Sequence, residues 1–185
     1  MSGTMNTTGI PLLERNQVTP EVAEVYDALL KTRGVVPNMF KTLAHTPALA
    51  LATAGYLKAL LSDGALPGSY KELIAIRLSV LLASDYAIKA HALSAEQKGA
   101  TEGQIEAVRD DYENGPFTEA EKLGFRASER LHRSAREITD DFFLTLKRHF
   151  TDPQIVELIA VAAAFELFPR FVDGLRIPVT PARGK

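Results

Sequence analysis

The side chains that could carry chemistry in this chain are few. Among 185 residues there are four histidines and no cysteine. Without a thiol the chain forms no disulfide, offers no thiolate nucleophile and has no cysteine-ligated metal site. It contains no His-Glu-x-x-His pair and no two histidines at ligand spacing with a third ligand nearby, so no metal site is expected. A glycine-rich phosphate loop and a Gly-x-Ser-x-Gly nucleophile elbow are missing as well. What remains is His91. Positions 84, 87, 91 and 94 step by three, four and three, which puts Ser84, Ala87, His91 and Ser94 on one face of a helix. Small residues beside one imidazole leave room for a ligand, and an imidazole can give or take a proton. Tyr86 reads as a core aromatic with a hydrogen-bonded hydroxyl. Arg170 is a late arginine able to hold a carboxylate bidentately, or simply a cation favoured near a helix C-terminus. His45, His132 and His149 are assigned no role.

The elements that must position these residues are helices. Thr19 and Pro20 open the first, on which Val22, Val25, Tyr26, Leu29 and Leu30 recur at helical spacing until Gly34. Pro37 opens a short second helix to about Ala44, and Pro47 a third that stops near Gly64. Ser69 with Glu72 reads as a capping box for the fourth, which would make Glu72 only the reciprocal half of a cap. Ser84 and Asp85 start a fifth helix that runs to Lys98, with Gly99 as its stop. Thr101 with Gln104 and Thr118 with Glu121 repeat the box for the sixth and seventh. Thr139 or Asp140 begins an eighth. Asp152-Pro153 begins the last, which ends at Gly174 and should kink at Pro169. Strand signals are almost absent. The expectation is an all-α, multi-helix bundle: a flexible arm over 1–18, one helical domain over 19–178, and a flexible tail over 179–185.

The same reading fixes how Glu72 and His91 could meet. On one unbroken helix they would lie about 28 Å apart. A turn at Ser84-Asp85 brings them closer. An antiparallel fold about Ala83–Ser84 sets His91 level with Ile76, one helical turn from Glu72. Contact then needs a bridging water, a longer reach or a neighbouring subunit.

Twenty-one Lys+Arg against 23 Asp+Glu give a net charge of -2, which argues against a nucleic-acid partner. The opening MSGTMNTTGIP lacks the basic and apolar regions of a signal peptide. The longest apolar stretch, Leu158 to Phe165, is too short to span a bilayer. A cytoplasmic protein without a membrane partner is expected. That stretch is apolar nearly all round, as in a helix covered on every side.

Lys71 to Val108, KELIAIRLSVLLASDYAIKAHALSAEQKGATEGQIEAV, resembles the carboxymuconolactone decarboxylase and alkylhydroperoxidase D-like family. Glu72, then Arg77 and Ser79, then His91, then Lys98-Gly99-Ala100-Thr101 with Gln104-Ile105, match the family's motifs in order. The resemblance extends upstream through GVVPNMFKTLAHTPAL and downstream through FTDPQIVELIA and RFVDGLRIP. The family's two cysteines fall on Ser84 and Ala87. Serine cannot pass through a sulfenic acid and alanine cannot resolve one, so the thiol peroxidase activity of the alkylhydroperoxidase branch is excluded here. Ser84-Asp85-Tyr86 and His91 are similar to the decarboxylase branch, which often reads Ser-Glu-Tyr-Glu-x-x-x-His; Ala87 departs from its second glutamate.

The resemblance implies an alkylhydroperoxidase D-like bundle assembled as a homo-oligomer, a trimer or hexamer. It implies acid/base action on a small organic acid or lactone, with no metal or organic cofactor. His91 would shuttle a proton and Glu72 would orient it. Ser84, Tyr86 and Ala87 would line the substrate, and Arg170 or Arg77 would neutralise a carboxylate. The alternative is a catalytically inactive helical oligomer with a binding or structural role, which Ala87 motivates.

Overall fold

A computed structural model describes residues 9–181, and among these it shows nine α-helices, two 3-10 turns and no strand. The helices are α1 (Pro20–Arg33), α2 (Asn38–Leu43), α3 (Pro47–Leu61), α4 (Gly68–Leu81), α5 (Asp85–Gln97), α6 (Glu102–Arg109), α7 (Glu119–Arg133), α8 (Asp140–His149) and α9 (Asp152–Gly174). All nine expected helices are present. None of them is long and apolar enough to cross a membrane. The chain divides into two units, one made of the described residues up to Ala59 and from Phe171, the other running from Leu60 to Arg170.

In the first unit, α1 starts with Thr19 at its N-cap and Pro20 in its first turn, where a missing N–H costs nothing. It stops at Gly34, whose φ of 73° is the left-handed conformation that glycine adopts freely. Tyr26 is buried and donates its hydroxyl to the carbonyls of Leu13 and Phe40. The described part of the expected arm is bonded to this unit: Leu13 N–H donates to Lys41 O, Arg15 pairs with Asp27, and Lys41 pairs with Glu14. The expected tail behaves in the same way. Asn38 donates its backbone N–H to Thr180 Oγ1 and its side-chain amide to Val179 O as well as to Pro178 O just before the tail. Residues 1–8 and 182–185 lie outside the described residues.

The second unit is built around α4, which is buried on nearly every side and packs against α5, α6 and α7. Its sequence explains this, since Leu73, Ile74, Ala75, Ile76 and Leu78 leave no polar face. The expected Ser69 capping box is not formed. The N-cap is Pro67, and Gly68 N–H is served instead by Asp63 Oδ1 at 2.7 Å. With the helix start satisfied from the preceding loop, Glu72 turns into the interior. The boxes at Thr101 and Thr118 are present as expected. Lys71, only 1% exposed, pairs with Glu157 of α9, which also accepts from the N–H groups of Ala65 and Leu66. Tyr70 donates to Glu121 O of α7 and lies so close to Gly124 that a methyl group there would overlap its hydroxyl.

Three residues join α4 to α5. Ala83 takes a left-handed φ of 53°, and the N–H groups of Ala83 and Ser84 bond back to Val80 O and Ser79 O. This tight reversal makes α4 and α5 a hairpin, with Glu72 near one open end facing His91 to Lys98 near the other. α9 continues past Pro169 to Gly174. The apolar run predicts cover on every side, and within one chain that cover is incomplete. Leu158, Val161, Ala162 and Phe165 are fully buried, but Ala163 is exposed and so are Val156 and Leu167, at 68% and 58%.

Candidate functional site

The carboxylate of Glu72, in the second turn of α4, is 1% exposed and accepts three hydrogen bonds, all from α5 and its C-cap. His91 Nδ1 lies 2.6 Å from Oε2. Ser94 Oγ donates to Oε1 at 2.7 Å, and Lys98 Nζ donates to the same oxygen at 2.6 Å. The donors follow a spacing of three and four, so one helix face presents all of them. Lys98 makes a further bond to Leu61 O at the end of α3, at 2.7 Å.

The expected register of the hairpin holds, and of the three ways expected to bridge it the structure shows the longer reach. Folding about Ala83–Ser84 places Ser94 and Ala95 level with Glu72, with His91 one turn to one side and Lys98 one turn to the other. A glutamate and an imidazole are each long enough to close a single turn between them. No water or second subunit is needed. Ser94 was placed on the His91 face without a role and Lys98 was missed as a site residue, yet the same register argument carried one turn further reaches Lys98.

Burial has the largest single influence on Glu72 and pushes its pKa up. The His91 bond, the charges of His91 and Lys98 and the Lys98 bond together outweigh it and hold the carboxyl at about 2. Glu72 is therefore ionised and can only accept, so Nδ1 of His91 must carry the hydrogen between them. Nε2 is then the nitrogen left over, able to accept a proton when the ring is neutral and to donate one when it is protonated. The ring stands edge-on to Phe165, with centroids 4.5 Å apart and an interplanar angle of 87°. Phe165 is fully buried and contacts Phe168 in turn.

The other expected site residues are placed as follows. Ser84 occupies the N-cap of α5 without making a cap bond. It is fully buried, and its Oγ is the one buried side-chain polar atom among the described residues that has no hydrogen-bond partner. Tyr86 and Ala87 are buried in the first turn of α5. By helical register Ser84 and Ala87 share the His91 face, Ser84 about 10 Å from His91 along the axis.

Neither arginine is drawn into this group. Arg170 is 62% exposed and holds Glu166 through both its backbone carbonyl and its carboxylate, while His132 takes the other oxygen of Glu166. Arg77 pairs with Glu129, reaches Arg109 O and stacks on Tyr112. An open hollow of about 380 Å³ lies nearby, lined by Ala92, Leu93 and Glu96 of α5 and Glu102 and Ile105 of α6, without His91 or Glu72. Among the described residues no three His, Asp or Glu side chains gather as metal ligands would.

Residues 47–129 match the model of the carboxymuconolactone decarboxylase family. No curated protein matches the chain closely enough to count as a relative. Solved structures do share its fold. One is described as an alkylhydroperoxidase AhpD core, an uncharacterized peroxidase-related protein from Ralstonia eutropha JMP134; it is 22% identical with a TM-score of 0.87, over 97% of this chain and 94% of that one. A peroxidase-related protein from Silicibacter sp. TM1040 is 18% identical with a TM-score of 0.86, over 96% and 93%. The debrominase Bmp8 is 20% identical with a TM-score of 0.82, over 96% and 94%. The stretch that matches the carboxymuconolactone decarboxylase family model thus contains the whole Glu72 network, and the chain has the all-α fold of the alkylhydroperoxidase D-like structures.

Proposed function

We propose that this protein is a cofactor-free acid/base enzyme of the carboxymuconolactone decarboxylase-like kind, acting on a small organic acid or lactone. The observation that supports it is the 2.6 Å contact between His91 and a Glu72 whose two oxygens are both bonded to donors. In this reading His91 Nε2 takes a proton from the substrate, or gives one to carbon as carbon dioxide leaves. Glu72 holds the ring by Nδ1–H and balances the charge when the ring is protonated. Ser84, Tyr86 and Ala87 line the substrate side of the same helix. Arg170 would hold a substrate carboxylate beside, or in place of, Glu166. Thiol-based peroxide reduction has no residue to act through, because the chain has no cysteine. The test is turnover of lactone and enol-acid candidates by the wild type and by His91→Ala. A loss of about 100-fold or more is expected, in line with removal of a general acid/base. Equal rates in the two proteins remove His91 from the mechanism.

One observation favours a second reading, a catalytically silent helical oligomer. Ser84 and Ala87 are buried where a reactive pair would stand, and neither can act as one. Binding of the candidate acids without turnover, unchanged in His91→Ala, would establish it. Both readings include a homo-oligomer, a trimer or hexamer. The exposed apolar stripe of Val156, Ala163 and Leu167 on α9 supports this, and light scattering tests it.

A further inference from the structure

A buried carboxylate bonded only to a histidine is balanced most easily by protonating that histidine. The result is a fixed ion pair, and an imidazolium has no lone pair with which to accept a proton. In this site the pair is not alone. Lys98 Nζ bonds the oxygen of Glu72 that His91 does not use, and it is held there by the Leu61 carbonyl. The Lys98 side chain is one-third exposed, so its ammonium keeps part of its hydration while its charge acts on a buried group. Burying the charged end of a lysine completely would be far costlier.

We propose that Lys98 is a positioning residue of this site: it supplies the positive charge that Glu72 requires, so that His91 can stand beside the carboxylate as a neutral imidazole with a basic Nε2. The proposal rests on the acid/base reading for its catalytic meaning, but not for its test. Glu72 from α4 and the uncharged ring of Phe165 from α9 contact the imidazole, while Ser94 and Lys98 from α5 and its cap bond the other oxygen of the same carboxylate. Removing Lys98 leaves Glu72 one positive charge short, and His91 is the nearest group able to supply it. Lys98 itself touches no reacting atom. Its role is exerted through Glu72, whose two oxygens divide the work: Oε1 collects Ser94 and Lys98, and Oε2 is left for His91.

The experiment is a pH titration of the histidine ring nitrogens by NMR, on the full-length protein labelled with nitrogen-15 at histidine. His91 is assigned by loss of its signals in His91→Gln. In the wild type the neutral ring carries its hydrogen on Nδ1. In Lys98→Met the ring should hold its proton to a pH about one unit higher than in the wild type, the size expected for loss of a charge at this range. Lys98→Arg should stay near the wild type. Glu72→Gln and the double variant Glu72→Gln/Lys98→Met should titrate alike, because the carboxylate that links the two side chains is gone. The double variant leaves no unpaired buried charge, so this comparison remains open even where Lys98→Met alone fails to fold.

Equal midpoints in the wild type and a folded Lys98→Met overturn the proposal. So does a Lys98 effect that persists in the Glu72→Gln background. Once a substrate is in hand, Lys98→Met should lower kcat at neutral pH and recover at higher pH, with KM nearly unchanged. If His91→Ala abolishes turnover while the ring titration ignores Lys98, only this inference fails. If no turnover is ever found but the titration shifts as stated, only the enzymatic reading fails.

Discussion

Ser94 Oγ and Lys98 Nζ converge on a single oxygen of Glu72, at 2.7 and 2.6 Å, and leave the other oxygen to His91. A carboxylate with three donors, two of them able to carry charge, is stabilised as the anion even in the interior.

That stabilisation makes stability depend on acid. Glu72 is held at about 2 in the folded protein, against an ordinary value of 4.5. A lowered pKa contributes stability that is present above the unfolded value and is lost as pH falls through the folded one. The window therefore runs from about pH 4.5 down to about 2, and the contribution is on the order of 3 kcal/mol. Urea unfolding from pH 7 to pH 2 should show this decline in the wild type and a flatter one in Glu72→Gln.

Ser84→Ala should not behave like the loss of a helix cap. A capping serine replaced by alanine usually costs about 1 kcal/mol. Ser84 makes no cap bond, and its buried hydroxyl has no partner. Alanine removes that unpaired group, so a gain of about 1 kcal/mol is expected in denaturant unfolding. A loss of the same size would mean that the hydroxyl is bonded in solution.

Ala83→Gly should also stabilise. Ala83 is exposed at the reversal between α4 and α5 and holds a φ of 53°, which an L-residue reaches only at some cost. Glycine removes that strain but adds freedom to the unfolded chain. A net gain of about 0.5 kcal/mol is expected, read as a higher melting temperature with the His91 ring signals unchanged.

Gly124→Ala should cost stability in the second unit. A methyl group there overlaps the hydroxyl of Tyr70, which is buried and bonded to Glu121 O and so has little freedom to yield. A loss of about 1–3 kcal/mol is expected from overpacking. Tyr70→Phe in the same background should recover part of it, which a thermal melt would show.

The helices were legible because their ends are chemically marked. Thr19-Pro20, Gly34, Thr101 with Gln104 and Thr118 with Glu121 each state a boundary in local terms, and each is where the chain turns. Ser69 with Glu72 has the same spacing but a different outcome. Asp63, five residues before the helix, took the cap, a choice that no local pattern records. The pairing of Glu72 with His91 was legible as a register, but not as a contact. Spacing along a helix gives the levels of two Cα atoms and leaves out how far two side chains extend. Arg170 and Arg77 show the converse: both look available in the sequence, but Arg77 is occupied by Glu129 of α7 and Arg170 by Glu166 one turn earlier on its own helix. The outward stripe of α9 could not be told from its buried side, because valine, alanine and leucine stand on both.

Lys98 leans on the carbonyl of Leu61 as well as on Glu72, so the closing turn of α3 is electrically part of the His91 neighbourhood. A substitution that unwinds or lengthens that turn would retune the imidazole from a distance. Two chains with identical residues at 72, 91, 94 and 98 could then differ in proton affinity through the stretch between Leu61 and Gly68 alone.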